Sequence, residues 1–262
     1  MIHAMKTRLV SRVAAAVLVS AACSAHALEE QPCPAPVMAA VMQTLKPTSA
    51  EAIVASACKR WPLDDKTLVL AVAYDTGQAS QKSLFVAMFD TDREKFGPSY
   101  HGTLEEDAVL TVSSGSLRID TARYELAPGR RAFGVDVSSA GSGPRCADGG
   151  LGPTRTLYLP MQGKLVPVLE EFGLYQWGYV EGSNPNCGSG PMGGGLAEEM
   201  HFSLSVAGTA SHGLRDLVVT GLSTVGDERK PYRKPFKTTL KFNGTRYPHD
   251  LFTDIMAWRS TR

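Results

Sequence analysis

Net charge is nearly absent from this chain: 27 Lys+Arg stand against 26 Asp+Glu in 262 residues, leaving +1. With 43% hydrophobic residues, it also lacks the pairing of low hydrophobicity and high charge that keeps a chain disordered. It has neither the Gly period of collagen nor the Ala/Glu/Lys/Leu bias of a coiled coil, and too few long apolar runs for a polytopic membrane protein. No fixed-period repeat emerges, so a propeller is not indicated. An ordinary globular protein remains.

The signatures of common chemistries are missing as well. The five cysteines include no C-x-x-C pair, which a four-ligand zinc site needs. Beyond residue 27 the histidines are His101, His201, His212 and His249, at no spacing that turns two imidazoles from one element toward a metal. The Gly-rich run from Cys187 to Gly195 lacks the Gly-Lys-Ser/Thr ending that grips phosphates, and a strand is expected after it. Ser211, His212 and Asp216 come without the Gly-x-Ser-x-Gly elbow of a hydrolase. Asp90-Thr91-Asp92 opens like a calcium loop, but Lys95 replaces the required glycine and the distal Glu is absent. No metal and no cofactor are expected.

What is present begins at the amino end. Lys6, Arg8 and Arg12 precede an apolar stretch from Val13 to Ala22, and Ala25-His26-Ala27 supplies a small-x-small ending. This is the pattern of a secretory signal peptide over residues 1–27, its apolar part well short of the ~20 residues that span a bilayer. Cleavage after Ala27 and a periplasmic or secreted mature chain are expected. Lipidation of Cys23 is the weaker reading, since Ser20 stands where lipoprotein signals carry a larger apolar residue. Four cysteines then remain, Cys33, Cys58, Cys146 and Cys187, and an oxidising compartment favours pairing them. Of three possible connectivities, Cys33 with Cys58 and Cys146 with Cys187 is preferred. The first two bracket a short helical region, and the others both lie in Gly-rich loops.

Charge is unevenly placed. Residues 28–226 carry a net −7 and residues 227–262 a net +5. The basic charges of the tail alternate with prolines and aromatics instead of forming a block, so docking onto the acidic body is expected rather than nucleic-acid binding.

Hydrophobic patterning predicts a mainly β protein. Val37 to Leu45 reads as a short helix, and Thr48-x-x-Glu51 resembles a capping box opening a second helix over residues 49–59. From residue 67 onward short alternating or apolar runs are separated by turn formers, as in antiparallel strands. Asn243-Gly244 predicts a tight hairpin within 238–247, and a short helix is expected over 250–258. The expected organisation is a signal peptide (1–27), a disulfide-stapled helical cap (28–62) and one β-rich domain (63–262) ending in a basic hairpin and helix (227–262). An antiparallel sandwich or irregular barrel buries this many short strands.

Two groups of candidate residues follow. Tyr175, Trp177 and Tyr179 lie two apart, so in a strand their rings share one face. They form either half of the sandwich core or a ligand platform, and exposure of Trp177 separates the two. His101 precedes the densest acidic cluster, Glu105, Glu106 and Asp107, which reads either as a solvated turn or as a general base with carboxylate partners. With no assembled catalytic signature, the favoured function is binding of a protein partner in the envelope or culture fluid, for example by an inhibitor or immunity factor. A cell-wall or glycan-binding module and an envelope hydrolase with a non-local site are the alternatives.

Overall fold

The protein, seen in a computed structural model, is described over residues 31–141, 147, 149–180, 196–226 and 231–260. The chain runs through α1 (Ala35–Leu45), β1 (Ile53–Arg60), β2 (Thr67–Tyr74), β3 (Gln81–Asp90), β4 (Lys95–Glu105), β5 (Leu117–Ala127), β6 (Arg130–Val137) and β7 (Gly149–Leu151). It continues with β8 (Thr154–Met161), β9 (Lys164–Gly173), β10 (Tyr175–Tyr179), β11 (Ala197–Ser211), β12 (Leu214–Val225), β13 (Phe236–Leu240) and α2 (Leu251–Ser260).

The mainly β architecture is present as a nearly closed eight-stranded sheet, in the order β1-β2-β3-β4-β9-β8-β6-β5, and a five-stranded sheet, β13-β12-β11-β10-β7. All pairings are antiparallel except β4 with β9, which meet at the single parallel bridge Ser99–Lys164. Strand alternation sorts the side chains into three cores. Val69, Ala71 and Ala73 of β2 point into the eight-stranded sheet with Phe133, Val135 and Tyr158. Leu70 and Val72 of the same strand point the other way, onto Val37 and Val41, one turn apart on α1. The third core lies between the sheets, where Leu157, Leu159 and Phe172 meet Met200, Leu217 and Val219, with Ile255 and Trp258 of α2 closing it. Beside this core the half-buried Arg155 holds Asp136 through two hydrogen bonds, 2.6 and 2.7 Å, and also bonds the Tyr124 hydroxyl at 2.7 Å.

The eight-stranded sheet still has two edges, β1 and β5, and one residue bridges them. The side-chain amide of Gln31 accepts from the Ile119 N–H at 2.6 Å and donates to the Ile119 carbonyl at 2.9 Å, as a neighbouring strand would. Its main-chain carbonyl meanwhile accepts the Cys58 N–H of β1 at 2.8 Å. Two residues on, Cys33 is bonded to Cys58 with Cα atoms 4.8 Å apart, which anchors this segment to β1 and beside α1.

Three local expectations are corrected. The predicted second helix over 49–59 is a three-residue 3-10 turn, Ala50–Ala52, followed by β1. Ile53 and Val54 are β-branched, and pairing with β2 combined with burial of Ala55 and Ala57 overrides the helical preference of the alanines. The Asn243-Gly244 turn forms, with Gly244 at φ +101° and the Asn243 carboxamide accepting the Thr245 and Arg246 N–H groups, but it does not join two strands. β13 pairs instead with β12. Strand β4 was not anticipated at all; its exposed, polar-rich sequence, with Gly97 and Pro98, carries little apolar alternation. Cys146 and Cys187 lie outside the described residues. Among the described residues no helix is long and apolar enough to cross a membrane.

Replacing Gln31 with Ala removes both hydrogen bonds to Ile119 and is expected to cost about 1–3 kcal/mol in denaturant unfolding, with faster amide exchange at Ile119. The Cys33→Ser, Cys58→Ser double variant is expected to lose about 2–4 kcal/mol. Unchanged exchange at Ile119 in Gln31→Ala would show that the seam holds without the glutamine.

Candidate functional site

The sequence of β10, Tyr-Gln-Trp-Gly-Tyr, alternates strictly, so the strand has two chemically different sides. It pairs with β11, placing Tyr175 opposite His201 and Trp177 opposite Glu199, and with the edge strand β7, placing Trp177 opposite Gly150. Gln176 and Gly178 are buried, whereas Tyr175, Trp177 and Tyr179 are partly exposed on the side turned away from the core, next to the exposed Glu199 and His201. The aromatic stripe is therefore not half of a sandwich core.

Glycines make this arrangement possible. A Cβ on Gly150 would strike the Trp177 indole, and one on Gly152 would lie 2.6 Å from Tyr175 Cδ1, so the rings settle directly onto the β7 backbone. Trp177 stands edge-on to Tyr179, with centroids 5.5 Å apart and planes at 89°, and Tyr175 tilts against the His201 ring at 4.9 Å. Partial burial, then the Glu199 carboxylate, pushes the Tyr175 phenol above its ordinary range. The rings thus present both edges and faces, and Leu222, 46% exposed and opposite His201 on β12, extends the apolar surface.

The inner side of the same strand is polar at its end. Glu198, opposite Gly178, is fully buried and takes Arg233 through bonds of 2.6 and 3.1 Å. Arg259 of α2 approaches the same carboxylate at 3.6 Å and donates to the Tyr179 carbonyl at 3.2 Å. A Cβ on Gly178 would lie 3.0 Å from both terminal nitrogens of Arg259, so the glycine leaves the room the guanidinium occupies. This is where the basic tail meets the acidic body, as the charge distribution implied. Gln176 Oε1 is buried and, among the described residues, has no hydrogen-bonding partner. Both Gln176 and Arg259 line a cleft of about 720 Å³ between β7, β10, α2 and the loops at 109 and 138–141. Sequence reasoning missed Gln176, Glu198, Arg233 and Arg259, because they converge from four separated segments; the split of charge between body and tail was the only signal.

The acid/base candidates lie elsewhere, at the end of β4, where they serve turns. His101 is exposed, its ring 4.8 Å from Phe85, and among the described residues it makes no ion pair with Glu105, Glu106 or Asp107. Glu105 accepts the Gln81 amide at 2.5 Å. Glu106 accepts the Val112 N–H at 2.7 Å and meets Lys82 at 3.2 Å. Asp107 takes the N–H groups of Val109 and Leu110, both at 2.7 Å, which turns residues 108–112 into a loop where a strand was expected. The Val112 N–H, with Lys82 adding to it, holds the Glu106 carboxyl below its ordinary range, and the Leu110 and Val109 N–H groups do the same to Asp107. A general base near neutral pH needs the opposite shift. Ser211, His212 and Asp216 do not form a triad either. Asp216 accepts the Thr209 hydroxyl at 2.6 Å, and a His212 ring nitrogen meets the Phe242 carbonyl at 2.8 Å. Among the described residues no three His, Cys, Asp or Glu side chains converge as a metal site.

A depressed carboxylate stabilises the fold above its unfolded pKa and ceases to do so as pH falls through its folded value. Glu106, whose ordinary value is 4.5, is therefore expected to contribute to acid unfolding below about pH 4.5. Unfolding free energy measured between pH 7 and pH 2 should fall less steeply for Glu106→Gln than for the parent; parallel curves would count against this account. The chain matches no protein-family model, no curated protein and no solved structure.

Proposed function

We propose that this chain is an extracytoplasmic, disulfide-stabilised binding protein that recognises a protein partner through the outward aromatic side of its five-stranded sheet. The observation that carries this reading is the exposure of Tyr175, Trp177 and Tyr179 on that side, away from every core. Large rings left partly in water have no packing reason to be there, whereas Trp and Tyr are the residues most enriched at the energetic centre of protein interfaces. Glu199, His201 and Leu222 around them supply a mixed polar and apolar rim. The edge-on stance of Trp177 against Tyr179 gives anchors that insert into pockets, rather than the coplanar row on which a sugar chain stacks. The basic, apolar, small-x-small amino end and the Cys33–Cys58 bridge support an oxidising compartment. The hydrolase alternative loses support, because Glu106 and Asp107 accept backbone N–H groups of the loop that follows β4 and Glu105 accepts the Gln81 amide.

The test is crosslinked capture from envelope and culture fluid of the source cells, with the secreted oxidised protein as bait and Trp177→Ala beside it. A stoichiometric protein is expected with the parent. The variant should capture it at least tenfold less well, corresponding to about 1.4 kcal/mol or more of binding energy, with unfolding stability changed by no more than about 1 kcal/mol. Equal capture by both would remove the aromatic face from the interface. Binding of cell-wall glycan that Trp177→Ala abolishes, without a protein partner, would replace this reading with the glycan one.

A further inference from the structure

The cleft beside β10 is lined by Trp177 and Tyr179 as well as by Gln176, Gly178 and Arg259, and its polar groups are unusual. Gln176 is only 8% exposed, yet among the described residues its Oε1 has no partner. A buried acceptor left without a donor is unfavourable, and such a group in a native protein calls for an explanation. Arg259 lies beside it on the same side of the strand, over Gly178, two residues further along β10. Its side chain is 21% exposed, and its nearest carboxylate, Glu198, is 3.6 Å away and already holds the shorter bonds from Arg233. A guanidinium carries five N–H donors in a fork that fits a carboxylate, and the contacts of Arg259 to Tyr179 and Glu198 leave donors over.

We infer that this cleft is a second binding site and takes the free carboxy-terminal end of an extended peptide, with the terminal carboxylate on Arg259 and a main-chain N–H on Gln176 Oε1. Gln176 and the Gly178 that Arg259 lies over are two apart, on one side of β10. An amide acceptor beside a guanidinium matches the end of a peptide, which offers an N–H and a carboxylate together, whereas the carboxylate of a plain fatty acid brings no donor for the amide oxygen. The cleft has about 720 Å³, room for a few residues, and the rim residues Leu151 and Phe252, 61% and 63% exposed, offer apolar contact to their side chains. A peptide chain is favoured over an acidic sugar because β7 is a sheet edge: its Gly150 is paired to Trp177, so the main-chain groups of Leu151 face outward, ready for an extended strand. The site shares Trp177 and Tyr179 as lining with the proposed aromatic interface, but its polar contacts, Gln176 and Arg259, are not part of that interface.

The experiment is fluorescence anisotropy on the purified, oxidised protein with fluorescein-labelled hexapeptide pools ending in a free carboxylate, and with the same pools amidated. Free-acid pools should bind at least tenfold more tightly than amides. Arg259→Gln should abolish that preference. Because loss of Arg259 also touches the buried Glu198, Gln176→Leu provides the independent check: it should weaken peptide binding about tenfold while unfolding stability stays the same or rises, since an unpaired buried acceptor has been removed. Equal binding of acids and amides, unchanged affinity in Gln176→Leu, or binding of acidic sugars in place of peptides would overturn the assignment. The assay uses no cellular partner. Failure here with the Trp177-dependent capture intact removes only the cleft, and the converse removes only the aromatic interface.

Discussion

Closure of the eight-stranded sheet at the β1–β5 seam is the constraint on which the rest of the molecule depends. A sheet that curls but does not close leaves two rows of unpaired N–H and C=O groups, an invitation to aggregation. Here the fourth and fifth strands of the sheet already meet through only one parallel bridge, so a second weak junction would leave the curl poorly held. Gln31 supplies the missing partner with its side chain, which imitates a peptide group toward Ile119, while its own carbonyl serves β1. The disulfide two residues away turns this local contact into a fixed one. It also seats α1 on the outer side of β2 and β3, so that the same strands are buried on both sides.

Buried charge organises the other half of the structure. Arg155 gathers Asp136 and Asp120 next to Tyr124 on the eight-stranded sheet, and Arg233 and Arg259 gather Glu198 on the five-stranded one. Each carboxylate would be strongly unfavourable alone in the interior, so these pairs specify which tail segment docks where more than they add stability. Arg246 adds a looser, exposed contact to Glu170. Trp258, whose indole N–H donates to the Lys234 carbonyl at 2.9 Å, locks α2 onto the third core. Three arginines of the basic tail, Arg233, Arg246 and Arg259, thus meet carboxylates of the acidic body.

Strand β10 shows how one short sequence serves two surfaces. Its odd positions carry rings into solvent, and its even positions carry an amide and a glycine toward a cleft. Gly150, Gly152 and Gly178 leave room for an indole, a phenol ring and a guanidinium to lie against bare backbone. An aromatic outer side and an inner side that meets the guanidinium of Arg259 therefore share one structural element.

The residues alone determined the β class, most strand positions, α1 and the terminal helix, because these follow from local alternation and from turn formers; they favoured the Cys33–Cys58 pairing among three, and the structure settled it. Where local preference and tertiary demand disagreed, tertiary demand prevailed. The alanines of β1 read as helix, but small side chains are what fit between α1 and the interior of the curled sheet. β4 has little pattern of its own and is a strand because β3 offers it a register. The aromatic stripe was legible as a stripe, yet which way it faces depends on which side of β10 meets the core, and that is settled by Gln176, Met200 and Phe202 packing inward. The cleft was not legible, since Gln176, Gly178 and Arg259 are brought together only when the last helix docks on a buried glutamate. Proximity of that kind is a property of the packed chain, with no trace in spacing or composition.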